Sequence, residues 1–155
     1  TLLYQGRKPQ GQRKFRAKSR FSSRAWEQQF RNQCQLRGWR HEQRSVAEFV
    51  LACETETELR QLPEYRRQLI ERLIGTSHGH GRSTFEHGTD YLLPESGGAS
   101  RAQAPALNNI ADDLFESGGW EALIDRTNQR YGFWGVSYME ALLRAADITC
   151  SKEGL

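Results

Sequence analysis

The stretch 131–150, YGFWGVSYMEALLRAADITC, carries the strongest helical pattern in the chain. Trp134, Tyr138, Leu142 and Ala145 recur at spacings of four, four and three, so one face of a helix collects all four. Working back from it, Trp120 to Arg130 reads as another helix, with Trp120, Leu123 and Ile124 on one side, set off by the Ser117-Gly118-Gly119 break. Leu107, Ile110 and Leu114 give the same period from about Ala106 to Glu116. Pro63 opens a further helix in which Tyr65, Leu69, Ile70, Leu73 and Ile74 form an apolar stripe, and Gly75 reads as its stop. Val46, Phe49 and Val50 share a face of a helix from about His41 to Cys53. Trp26, Phe30 and Cys34 do so in a segment capped by Ser22 or Ser23, reaching about Leu36 and ending at Gly38. No segment alternates with the period of a strand, and no repeat is present. The expected fold class is therefore all-α: a helical bundle of about five to six helices.

Two stretches break the helical pattern. Residues 5–20, QGRKPQGQRKFRAKSR, have few apolar anchors to offset the entropy of ordering, so 1–21 reads as a basic arm on a helical domain spanning 22–155. From Thr76 to about Ala104 the helical period disappears into a long loop rich in Gly, Ser and His.

The net charge of +3 conceals a division. Residues 1–44 hold twelve Lys or Arg against Glu27 and Glu42, an excess of ten, and the remainder carries 10 basic against 17 acidic groups. A cationic stretch of this density suits phosphate contact, which needs charge but no base recognition. Arg16, Lys18, Arg20 and Arg24 lie closest to the first expected helix and are the preferred contacts, with Arg82 at the end of the Gly-His loop beside them. Phe15, Phe21, Trp26, Phe30 and Trp39 are interleaved with these charges and offer stacking faces for unpaired bases, although the Trp26–Phe30 spacing equally describes a core. Cys34, Cys53 and Cys150 have no CxxC spacing and read as reduced, packed thiols. No run of roughly 18 apolar residues is available for a membrane span. Thr1-Leu2-Leu3-Tyr4 shows no signal core, so a cytoplasmic protein with no membrane partner is expected.

Three short patches carry metal-ligand chemistry: Trp39-Arg40-His41-Glu42, Ser77-His78-Gly79-His80-Gly81-Arg82 and Arg144-Ala145-Ala146-Asp147. Imidazoles and carboxylates converging from different helices can hold a divalent ion, although an exposed imidazole or an Asp147–Arg144 pair explains them as well. Their order resembles the HD-nuclease domain of the CRISPR type I helicase-nucleases. The match is longest over Trp134-Gly135-Val136-Ser137-Tyr138-Met139-Glu140-Ala141-Leu142-Leu143-Arg144-Ala145-Ala146-Asp147, followed by Ser151. Leu2-Leu3-Tyr4 resembles the segment just downstream of that family's His-Asp motif.

Two departures matter. The family's upstream His and its His-Asp pair would lie before Thr1, and Ser77 stands where the family has the first His of its His-His-Gly. The resemblance leaves His41, His78 and Asp147 as vestigial metal ligands, with His80 as a neighbour. Two-metal hydrolysis needs more ligands than that, so the chain is expected to be non-catalytic and to bind no cofactor.

The resemblance implies a small subunit of an RNA-guided type I (Cascade) effector. It would contact the effector's backbone and large subunits, other copies of itself, and target DNA guided by the crRNA, as a single strand. The alternative it implies is a fragment of the metal-dependent HD DNase domain. That fragment would use divalent transition metal ions if the His-Asp motif stands in the same polypeptide.

Overall fold

A computed structural model describes residues 40–77, 83–85 and 103–153, and these are all-α. The described helices are α1 (His41–Thr55), a single turn α2 (Thr57–Arg60), α3 (Glu64–Thr76), α4 (Gln103–Ala111) continued by a π-helical turn (Asp112–Glu116), α5 (Gly119–Tyr131) and α6 (Phe133–Glu153). The expected boundaries agree to within about three residues; α2 and the π turn have no counterpart in the apolar periodicity. The arm, the helix expected over 22–36 and most of the Gly/His-rich loop lie outside the described residues.

α1 packs against both α3 and α4. Its start is tied down by Gln43, whose side-chain oxygen accepts the Arg40 N–H at 2.9 Å, closing half of a capping box. Ala47 on α1 meets Ala104, Leu107 and Ala111 of α4, with Leu51 and Ile110 beside them. These alanines allow the two helices to approach closely.

The second core cluster is built around Trp120, which is wholly buried with Val46, Leu123 and Ile124. Phe85 and Phe115 pack edge-on and tilted around its indole, with ring centroids 5.3 and 5.9 Å away. Phe85 thus fixes one point of the long connection between α3 and α4 to the core. Gly75 does not stop its helix, which runs on to Thr76 and ends where the Ser77 hydroxyl donates to the Ile74 carbonyl at 2.8 Å. Its role is clearance, since a Cβ added at Gly75 would fall inside the Trp120 ring.

Of the expected α3 stripe, Tyr65, Leu69, Ile70, Leu73 and Ile74 are all half-buried. The deepest side chains of that helix are Arg72 and Thr76. The expectation of packed thiols holds for Cys53, which is buried, but Cys150 is exposed; both are free.

A candidate partner-binding face on the last helix

Gly132 separates α5 from α6 at φ +73°, a left-handed conformation that strongly favours glycine. Its N–H closes α5 on the Asn128 carbonyl, and its own carbonyl accepts the Val136 N–H to begin α6. The last helix therefore folds back along α5 and α3, the two helices it touches.

Only a narrow seam of α6 faces the body. Val136 is fully buried, and Glu140, one turn on, is nearly so. Glu140 accepts a 3.1 Å hydrogen bond from Arg72 Nε on α3, and the pair is buried. Arg72 Nη1 also donates to the Ile124 carbonyl at 3.2 Å, to Thr127 Oγ1 at 2.8 Å and to Asn128 Oδ1 at 2.8 Å, all on α5. One guanidinium thus joins three helices. A buried charge is tolerated when its donors are met in this way.

The stripe singled out in the sequence lies on the other side. Trp134 is 83% exposed and Tyr138 65%, with Leu142 and Ala145 also exposed. Phe133, Leu143 and Ile148 add to the uncovered apolar surface, and Phe133 packs edge-on against Trp134 at 5.6 Å. From Ala145 to Cys150 every residue is exposed, so these last described turns project beyond the body. A helix apolar on both sides belongs between two layers, and here one layer is present.

A second surface lies where α3 meets α5. Glu64, Tyr65, Gln68, Arg126, Gln129 and Arg130 line a shallow cleft of about 490 Å³. The Arg130 guanidinium sits over the Tyr65 ring at 4.0 Å, and the Tyr131 hydroxyl donates to the Tyr65 carbonyl at 3.1 Å. Arg126 and Arg130 stand four residues apart in the expected helix over 120–130, a spacing that puts both on one face. That signal is present in the sequence but is outweighed by the far denser cationic run of residues 1–44.

Half-buried Glu71 lies near this cleft. Burial pushes its carboxyl up from the ordinary 4.5 to about 7, Glu64 adding to the rise while Arg67 and Arg126 oppose it. Burial and the Glu71 carboxylate likewise hold the Cys53 thiol above its usual range.

Because the folded state holds the Glu71 proton more tightly than the unfolded chain, this group's contribution is greatest below pH 4.5. It declines as pH rises to about 7 and is level above that. Glu71→Gln should therefore leave stability at pH 4 nearly unchanged and raise it by about 1–2 kcal/mol at pH 8, a figure reduced for partial solvent access. Urea titrations of both proteins across that range measure the difference.

The site residues expected from the sequence are widely scattered. Asp147 is in the projecting turns of α6, and His41 is the first residue of α1, its side chain outside the described residues. α1 and α6 do not approach within 8 Å between Cα atoms. His78, Arg82, Arg16, Lys18, Arg20 and Arg24 lie outside the described residues. Among the described residues no three His, Cys, Asp or Glu side chains gather to hold a metal, and no helix is long and apolar enough to cross a membrane. No protein-family model, curated protein or solved structure matches the chain.

Proposed function

We propose that the chain is a non-catalytic helical subunit of a larger nucleoprotein assembly, specifically the small subunit of an RNA-guided type I CRISPR effector. The observation that carries this reading is the uncovered apolar face of α6, where Trp134, Tyr138 and Leu142 form a stripe that a neighbouring protein would bury. Aromatic anchors of this kind supply a large share of the energy in protein interfaces. The cationic excess in residues 1–44 supports nucleic-acid contact alongside it.

The resemblance in residues 134–147 narrows the assembly to the CRISPR effector and its neighbours to the backbone and large subunits. The other reading, a fragment of a metal-dependent HD DNase, needs the helices of His41 and Asp147 to bring their side chains to one ion. The absence of packing between α1 and α6 favours the non-catalytic reading.

The test is to purify the tagged chain from its own cells and weigh the native complex with everything bound. Guide RNA together with identified larger effector subunits is expected. The triple variant Trp134→Ser, Tyr138→Ser, Leu142→Ser should lose those subunits while its melting temperature stays close to that of the parent, since all three side chains are exposed. Metal-dependent DNA scission that accompanies the chain through purification would reject the non-catalytic reading. A chain recovered alone, without RNA or protein partners, would reject the assembly reading as well.

A further inference from the structure

The cleft between α3 and α5 differs in kind from the α6 face. Apart from Tyr65, every residue lining it is charged or an amide. Small-molecule pockets are concave, mostly apolar and enclosing. This one is shallow and polar, a shape suited to a chain passing across it. Arg126 and Arg130 stand one helical turn apart and both are exposed, so they present two cationic groups in a row. Arg130 lies flat enough over Tyr65 to place its guanidinium 4.0 Å from the ring centroid, and Arg66 adds a second cation 6.0 Å from the same centroid. The Tyr65 backbone is held by the Tyr131 hydroxyl. The carboxylate in the lining, Glu64, is engaged by Gln68 Nε2 at 2.8 Å, which tempers its repulsion of an anion. Spaced guanidiniums beside a planar surface, flanked by amides, are the groups a single nucleic-acid strand uses, phosphates on the cations and a base on the stack. An acidic peptide would use the cations and leave the stacking surface idle.

We propose that the α3–α5 cleft is a contact site for a single nucleic-acid strand, with Arg126 and Arg130 on its phosphates and the Tyr65–Arg130 pair as the platform for a base. The assignment rests on the nucleic-acid part of the proposed function and adds a contact within the folded helices to the cations of residues 1–44.

The experiment measures binding of a fluorescent oligothymidylate to the full chain across a salt series, for the parent, for Arg126→Gln/Arg130→Gln and for Arg126→Lys/Arg130→Lys. The glutamine pair should lower the slope of log K against log salt by about 1.4, the value for two single-strand phosphates. The lysine pair should keep the parent slope and still bind more weakly, because an ammonium preserves charge without the planar stack. Photo-crosslinking of an iodouridine oligonucleotide should modify Tyr65. Matched melting temperatures would establish that the variants are folded.

A parent that binds with a slope unchanged by the glutamine pair overturns the cleft assignment and leaves the proposed function standing. A parent with no affinity for the oligonucleotide overturns the cleft and the nucleic-acid reading together. Equal competition by polyglutamate of matched charge overturns the assignment to nucleic acid and marks the cleft as a general cationic surface.

Discussion

Arg72→Ala is expected to destabilise the chain by about 3–5 kcal/mol, because it leaves the buried Glu140 carboxylate without its partner. The same deletion withdraws a donor from the Ile124 carbonyl, Thr127 and Asn128. Thr127 can fall back on its bonds to the Leu123 and Ile124 carbonyls, at 2.8 and 2.9 Å, so its loss is small. Glu140 has no such recourse, and the main cost therefore belongs to the charge. Arg72→Met/Glu140→Met should consequently be more stable than Arg72→Met alone, since removing both ions removes the orphaned one. Urea unfolding of the parent, both single methionine variants and the double variant supplies the double-mutant cycle. A double variant less stable than Arg72→Met would mean that the bonds to α5, rather than the ion pair, hold the arrangement.

Trp120→Ala should cost a similar amount, about 3–5 kcal/mol, through the cavity left among Val46, Leu123, Phe85 and Phe115. Its neighbour offers a sharper test. Gly75→Ala places a methyl group inside the indole and should destabilise by about 1–3 kcal/mol or more. In the Trp120→Ala background the same methyl enters vacated space, and its cost should disappear or change sign. Additive effects from the two substitutions would show that Gly75 matters for a reason other than clearance.

The helices are legible in the sequence because period and punctuation agree along most of the described chain. Spacing alone puts Val46, Leu107, Trp120 and Leu123 on inward faces, and all four are buried. The buried polar set escapes that reading. Tyr65, Leu69, Arg72 and Thr76 recur at spacings of four, three and four, so Arg72 occupies the register of an apolar stripe. A charge at such a position signals a buried partner, but an apolar period cannot name Glu140, 68 residues away. The stripe of α6 shows the complementary limit. Periodicity establishes that Trp134, Tyr138 and Leu142 share a face and is silent on what lies against it; Val136 and Glu140 form the side used within the chain. Gly75 reads as a stop because glycine both ends helices and admits close neighbours, and the choice depends on a tryptophan 45 positions later. The vestigial metal set rests on resemblance, and of its three residues only His41 and Asp147 fall on described helices.

The π-helical turn at Asp112–Glu116, closed by the Ser117 N–H on the Asp112 carbonyl at 2.9 Å, makes this helix a junction of two phases. Ahead of it, Ala104, Leu107 and Ala111 keep step with α1; within it, Leu114 and Phe115 turn to Trp120. Loss of a single codon in 112–116 would permit a regular α-helix and swing the downstream residues by about 100°, taking Phe115 out of the aromatic cluster. In an evolving gene, that five-residue stretch is where a one-residue length change is least neutral.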